Sequence, residues 1–240
     1  ADFSGTLNLS VTATSSVNGT QASHTEALTV TVAPEADAPA LTVANASGTE
    51  DQAIALTLSS SLSNPAAGET LSITISGVPA GATLSAGTDN GDGTWTLSAA
   101  QLSGLTITPP ADFSGTLNLS VTATSSVNGT QASHTEALTV TVAPEADAPA
   151  LTVANASGTE DQPIALTLSS SLSNSAAGET LSITISGVPA GATLSAGTDN
   201  GDGTWTLSTA QLSGLTITPP ADFSGTLNLS VTATSSVNGT

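Results

Sequence analysis

The chain has 240 residues, 19 Asp or Glu, no Lys or Arg, and a formal net charge of −19. With no permanently cationic side chain, nucleic acid is excluded as a partner and docking to anionic membranes is disfavoured. Cys is absent, which excludes disulfides, and no long apolar run or basic-then-apolar start reads as a membrane span or signal peptide. The opening Ala-Asp-Phe-Ser-Gly reads as an internal position, so any export signal is expected outside these residues.

The chain repeats itself. Residues 1–130 align with 111–240 without a gap, an offset of 110, and differ only at Ala53/Pro163, Pro65/Ser175 and Ala99/Thr209. Such a period is domain-sized. The expected division is 1–36, the last strands of a preceding repeat plus a linker; 37–146, one complete repeat; and 147–240, a second repeat lacking its last strand.

Taken in order, Ala1–Val32 is strand-like and ends at an acidic linker, Ala33–Ala40, in which Pro34 and Pro39 bracket Glu35 and Asp37. Proline fixes φ and removes a donor, so this segment cannot pair inside a sheet and reads as a stiff connector. From there apolar residues alternate with Thr and Ser: Leu41/Val43, Ile54/Leu56/Leu58, Leu71/Ile73/Ile75, Leu84, Trp95/Leu97, Leu105/Ile107, Leu117/Leu119/Val121 and Leu138/Val140/Val142. Period-two strands separated by turn signals predict all-β, tandem antiparallel Ig-like or cadherin-like sandwiches joined by short Pro/Asp linkers. Trp95 and Phe113 are expected in the core. The linker recurs at Ala143–Ala150 with Glu145 and Asp147.

A linear string of modules must enter each at one pole and leave at the other. Eight named strands give the wrong parity, so a segment between Thr94 and Pro110, such as Leu102–Thr108, is not expected to cross fully. Counting from both ends gathers Glu50, Asp51, Asp112, Asp199, Asp202 and Glu179 around the joint at Glu145 and Asp147. The other joint gathers Asp2, Glu35, Asp37, Glu69, Asp89 and Asp92. Carboxylates so crowded repel one another, and an all-oxygen donor set suits Ca2+. Two local alternatives stay open. Asp89-Asn-Gly-Asp-Gly93 is equally a Gly-rich hairpin turn, and Asp112 is equally a cap on its own loop.

The hinge, the GTEDQ turn, the GVPAG turn and the GDGTW loop, in that order, resemble the tandem Ig-like, cadherin-like extender repeats of giant, type I-secreted bacterial RTX adhesins. The resemblance implies an extracellular position on a bacterial cell surface, as in biofilm adhesins, with Ca2+ at the joints stiffening a stalk that projects a distal binding region. It implies Glu50, Asp51 and Asp147 as ligands, with Glu160, Asp161 and Asp37 as their copies. Ser63–Glu69 departs from the family's Asp-rich loop, leaving only Glu69 and its copy Glu179 there.

Catalysis is not expected, because the single His per repeat, His24 or His134, sits beside no nucleophile motif. The expected partners are neighbouring repeats of the same chain. The alternatives to a spacer are a carbohydrate-binding module or a self-assembling fibre subunit, in which Gln21–Val32 of one copy is donated head to tail as the last strand of another.

Overall fold

The computed structural model describes residues 3–174 and 178–237. Asp2 lies outside them, as do residues 175–177 in the second copy of the departing loop. The described chain is all-β apart from two single 3-10 turns, Ala99–Leu102 and Thr209–Leu212. It divides into two compact units, Ala1–Ala111 with Gly115–Val142, and Asp112–Ser114 with Ala143–Thr240.

The first unit begins with β1 (Gly5–Val17) and β2 (Thr20–Val32), an antiparallel ladder whose Asn18-Gly19 turn takes positive φ at both positions. Only Asn, Asp and Gly adopt that geometry cheaply, and its twist matches the strands it joins. There follow β3 (Ala40–Ala44), β4 (Ala46–Thr49), β5 (Ile54–Ala55), β6 (Thr57–Ser61), β7 (Thr70–Ser76), β8 (Thr83–Leu84) and β9 (Thr88–Asp89). Then come β10 (Thr94–Leu97), β11 (Thr106–Thr108), β12 (Gly115–Val127) and β13 (Thr130–Ala143).

One layer is a six-stranded sheet in the order β4-β13-β12-β7-β10-β9, and facing strands form the β5-β11-β8 and β3-β6 sheets. Between them Ile73, Ile75, Leu97, Val121, Leu138 and Val140 from the large sheet, with Ile54, Leu84 and Ile107 opposite, are buried. Alternation puts every second side chain on this face. On β12 it runs through Leu117, Leu119, Val121, Ala123, Ser125 and Val127, all buried.

Two details differ from the sequence reading. Ile54–Leu58 is two strands, not one: β5 pairs with β11 and β6 with β3, and between them Leu56 N–H donates to Leu105 O at 2.9 Å. Alternation survives such a change of sheet, so it does not betray it. Between Thr94 and Pro110, where a segment such as Leu102–Thr108 is not expected to cross fully, the chain makes a 3-10 turn at Ala99–Leu102, braced where Ser98 N–H donates to Gln101 Oε1 at 2.8 Å, before the three-residue β11. Trp95 and Phe113 are half-buried, not core. Trp95 is one strand from the sheet edge, flanked only by the two-residue β9, so its ring is incompletely covered.

The second unit contains β14 (Ala150–Ala154), β15 (Ile164–Ala165), β16 (Thr167–Ser171), β17 (Glu179–Ser186), β18 (Thr193–Leu194), β19 (Thr198–Asp199), β20 (Thr204–Leu207), β21 (Thr216–Thr218) and β22 (Ser230–Val237). Its sheets are β19-β20-β17-β22, β15-β21-β18 and β14-β16. Ile183, Ile185, Leu194, Leu207, Leu215 and Ile217 form its core, with Trp205 packed against them. Among the described residues, β22 ends the four-stranded sheet, whereas its counterpart β12 is covered by β13.

Candidate functional site

Each linker is bound to the repeat that follows it. In the first unit the backbone carbonyls of Asp37, Ala38 and Pro39 accept hydrogen bonds from Ser125 Oγ (2.6 Å), Ser63 Oγ (2.6 Å) and His134 Nδ1 (3.2 Å). Ala36 N–H donates to Thr130 Oγ1 at 3.2 Å. Asn64 Nδ2 reaches the Asp37 carboxylate at 3.5 Å. In the second unit Ser235 Oγ donates to Asp147 O, Ser173 Oγ donates to Ala148 O, and Asn174 Nδ2 donates to Asp147 Oδ2 at 2.6 Å. Proline makes the segment unable to join a sheet; these bonds satisfy its carbonyls instead. Asp37 and Asp147 are held half-buried, while Glu35 and Glu145 stay exposed.

Ser125 is the residue that sequence reading missed. It is fully buried in an apolar row of β12, and its hydroxyl finds the Asp37 carbonyl. The available signal was a polar residue at a core position in an unbroken alternation, which demands a partner.

The acidic loops have a shared backbone conformation. Asp51 and Asp112, and their copies Asp161 and Asp222, take φ of 57°, 57°, 59° and 56°. This left-handed region suits Asp and Asn better than other non-glycine residues. Within the second unit the two loops touch: Asp222 N–H donates to Asp161 Oδ1 at 3.0 Å. Also within that unit, carboxylate oxygens of Asp112 and Asp147 come within 4.8 Å of each other. Glu50 is buried at 1% exposure, whereas Glu160 is exposed.

The carboxylates of the GTDNGDG loops brace their own turns. Asp89 Oδ1 accepts from Gly91 N–H at 2.9 Å, and Asp92 Oδ1 accepts from Thr94 N–H at 3.0 Å and Thr94 Oγ1 at 2.6 Å. Asp199 and Asp202 repeat this with Gly201 and Thr204. The Thr hydroxyl, and after it the backbone N–H, hold the Asp92 and Asp202 carboxyls below their ordinary value. Glu69 Oε2 accepts from Ala66 N–H at 2.9 Å.

His134 joins linker to strand, with Nε2 3.2 Å from Glu136 Oε1 on its other side. The copy His24 lies 2.8 Å from Glu26 Oε1. No helix among the described residues is long and apolar enough to cross a membrane.

No family model and no curated protein matches the chain. Among solved structures it is similar to the FN1–FN3 domains of chicken CNTN1, at 8% identity and a TM-score of 0.26, over 88% of this chain. The chain spans 64% of the length of that structure.

Proposed function

We propose that the chain is a run of structural extender repeats of an extracellular, bacterial cell-surface adhesin, in which Ca2+ at the linkers stiffens the joints. In this reading Asp51, Asp112 and Asp147 form a ligand set, with Glu50 and Glu145 beside it. The observation that carries it is the approach of the Asp112 and Asp147 carboxylates within 4.8 Å in a chain that has no Lys or Arg to neutralise them. The Asp161–Asp222 bond supports Asp51 as the third member, because those residues are the copies of Asp51 and Asp112. All three donors are carboxylate oxygens, which fits a hard cation. Linkers already tied to the following repeat suit a spacer, since a cation has only the remaining freedom to remove.

Calcium titration of the intact chain, followed by melting and by distances between spin labels in the two repeats, tests this. Saturating Ca2+ should raise the melting temperature, by about 2.7 kcal/mol of stabilisation at 100 times the dissociation constant, and narrow the label distances. Asp147→Asn should remove most of both effects. Equal behaviour in calcium and in chelator would eliminate the metal and leave only a passive spacer.

A further inference from the structure

In the second repeat the linker carboxylate that the calcium reading needs is gripped by an amide. Asn174 Nδ2 donates to Asp147 Oδ2 at 2.6 Å. Ser235 Oγ and Ser173 Oγ hold the backbone beside it, through Asp147 O and Ala148 O. Side chain and backbone of Asp147 are thus set together, and this is the carboxylate that comes within 4.8 Å of Asp112. The grip has a cost. The other end of the amide, Asn174 Oδ1, is buried with no hydrogen-bond partner among the described residues, and a buried polar atom left so is unfavourable. Turning the amide over brings no relief, because its oxygen would then face the Asp147 oxygen, and both are acceptors. The orientation therefore serves the NH2 end and Asp147.

The first repeat carries a looser version. Asn64 Nδ2 reaches Asp37 Oδ2 at 3.5 Å, longer than the usual range of roughly 2.7–3.2 Å. The loops Ser63–Glu69 and Ser173–Glu179 differ at one position, the residue after this asparagine, which is Pro65 in one and Ser175 in the other. Proline restricts the backbone of the residue before it, and serine does not. One of the three differences between the repeats therefore stands where it can set how closely the amide approaches its carboxylate.

We propose that Asn174 is a positioning residue for calcium at Asp147, and that Ser175 in place of proline is what lets it close to 2.6 Å. Asn174 acts through Asp147. It holds one oxygen, and with it the plane of the carboxylate that approaches Asp112, and it need give the ion no oxygen of its own. The proposal rests on the calcium reading above. Carboxylates that bind metals are themselves held by such outer partners, which keep them from turning away when the ion is absent.

Calorimetric calcium titration of the full chain, first stripped with chelator, tests this as a double-mutant cycle. Asp147→Asn marks the binding that depends on Asp147. Asn174→Ala should weaken that binding about 10- to 100-fold. In the Asp147→Asn background, at millimolar calcium, it should cost nothing further, because the two side chains act as one unit. Ser175→Pro makes the loop identical to the one the first repeat already carries. It should weaken binding in the same direction by less, and it decides the matter if Asn174→Ala does not fold. Binding that Asp147→Asn removes, but that neither Asn174→Ala nor Ser175→Pro weakens, would overturn the proposal and leave the calcium reading standing. An equal loss in both backgrounds would overturn it as well, being the mark of a general structural role. A chain that binds no calcium through Asp147 would overturn both.

Discussion

The two repeats differ at three positions in sequence, but they differ far more in how well their cores are closed. Leu41 is 8% exposed and Leu151 is 37%; Leu119 and Val121 are buried, while Leu229 and Val231 are half-buried. The three substitutions do not account for this, because none lies on β12, β13 or β4. Among the described residues the difference is one strand. Where β13 is present, β4 and the first part of β12 are strand; where no equivalent is described, their copies are not. Edge pairing and inner-face burial are therefore one cooperative event, as expected when a strand must satisfy its backbone and bury its side chains together.

The comparison breaks most sharply at a single position present in both strand copies. Val140→Asp places an unpaired carboxylate where the native side chain is fully buried, and should cost the first repeat about 4 kcal/mol or more. The same change at Val30, in the exposed hairpin, should alter unfolding of the chain by less than about 0.5 kcal/mol. Urea unfolding read by Trp95 fluorescence, with Trp205 replaced by Phe, separates the two.

A smaller contrast is expected at Leu119 and Leu229. Leu119→Ala empties a closed core site and should cost about 2–5 kcal/mol. Leu229→Ala trims a side chain that is only half-buried among the described residues and should cost less than half as much, read through Trp205 with Trp95 replaced. Equal costs would show that Leu229 is as well covered as Leu119.

The smallest effect should be the same in both repeats, because the turn it concerns is built identically in each. The depressed carboxyls of Asp92 and Asp202 add stability that is present above their unfolded value and lost as pH falls through the folded one. Thr94→Val and Thr204→Val remove the main cause, so carboxyl titration by NMR should move each upward toward 3.8 by a matching amount.

Much of this architecture is legible in period-two alternation. Ile73, Ile75, Leu117, Leu119, Leu138 and Val140 stand where their spacing places them. Alternation says which face a residue takes and nothing about which sheet it joins, so the break between β5 and β6 was hidden. It also overstated Trp95, since ring size does not reveal distance from a sheet edge. At the linkers, residue type pointed to the acids, but only folding shows what each does. Asp89 and Asp92 brace a turn, Glu50 is buried, and Asp112 draws near Asp147. Asp222, the copy of Asp112, was passed over although its backbone meets Asp161. Contacts between loops far apart in sequence leave no local trace.

The hydrogen bonds that tie Asp37, Ala38 and Pro39 to Ser125, Ser63 and His134 have a consequence for how such chains lengthen. Each domain carries its own leading latch, because the groups that fasten the prolines belong to the body behind them. A duplication that starts at Pro34 copies lock and key together. Copy number can then rise without any junction having to be reinvented.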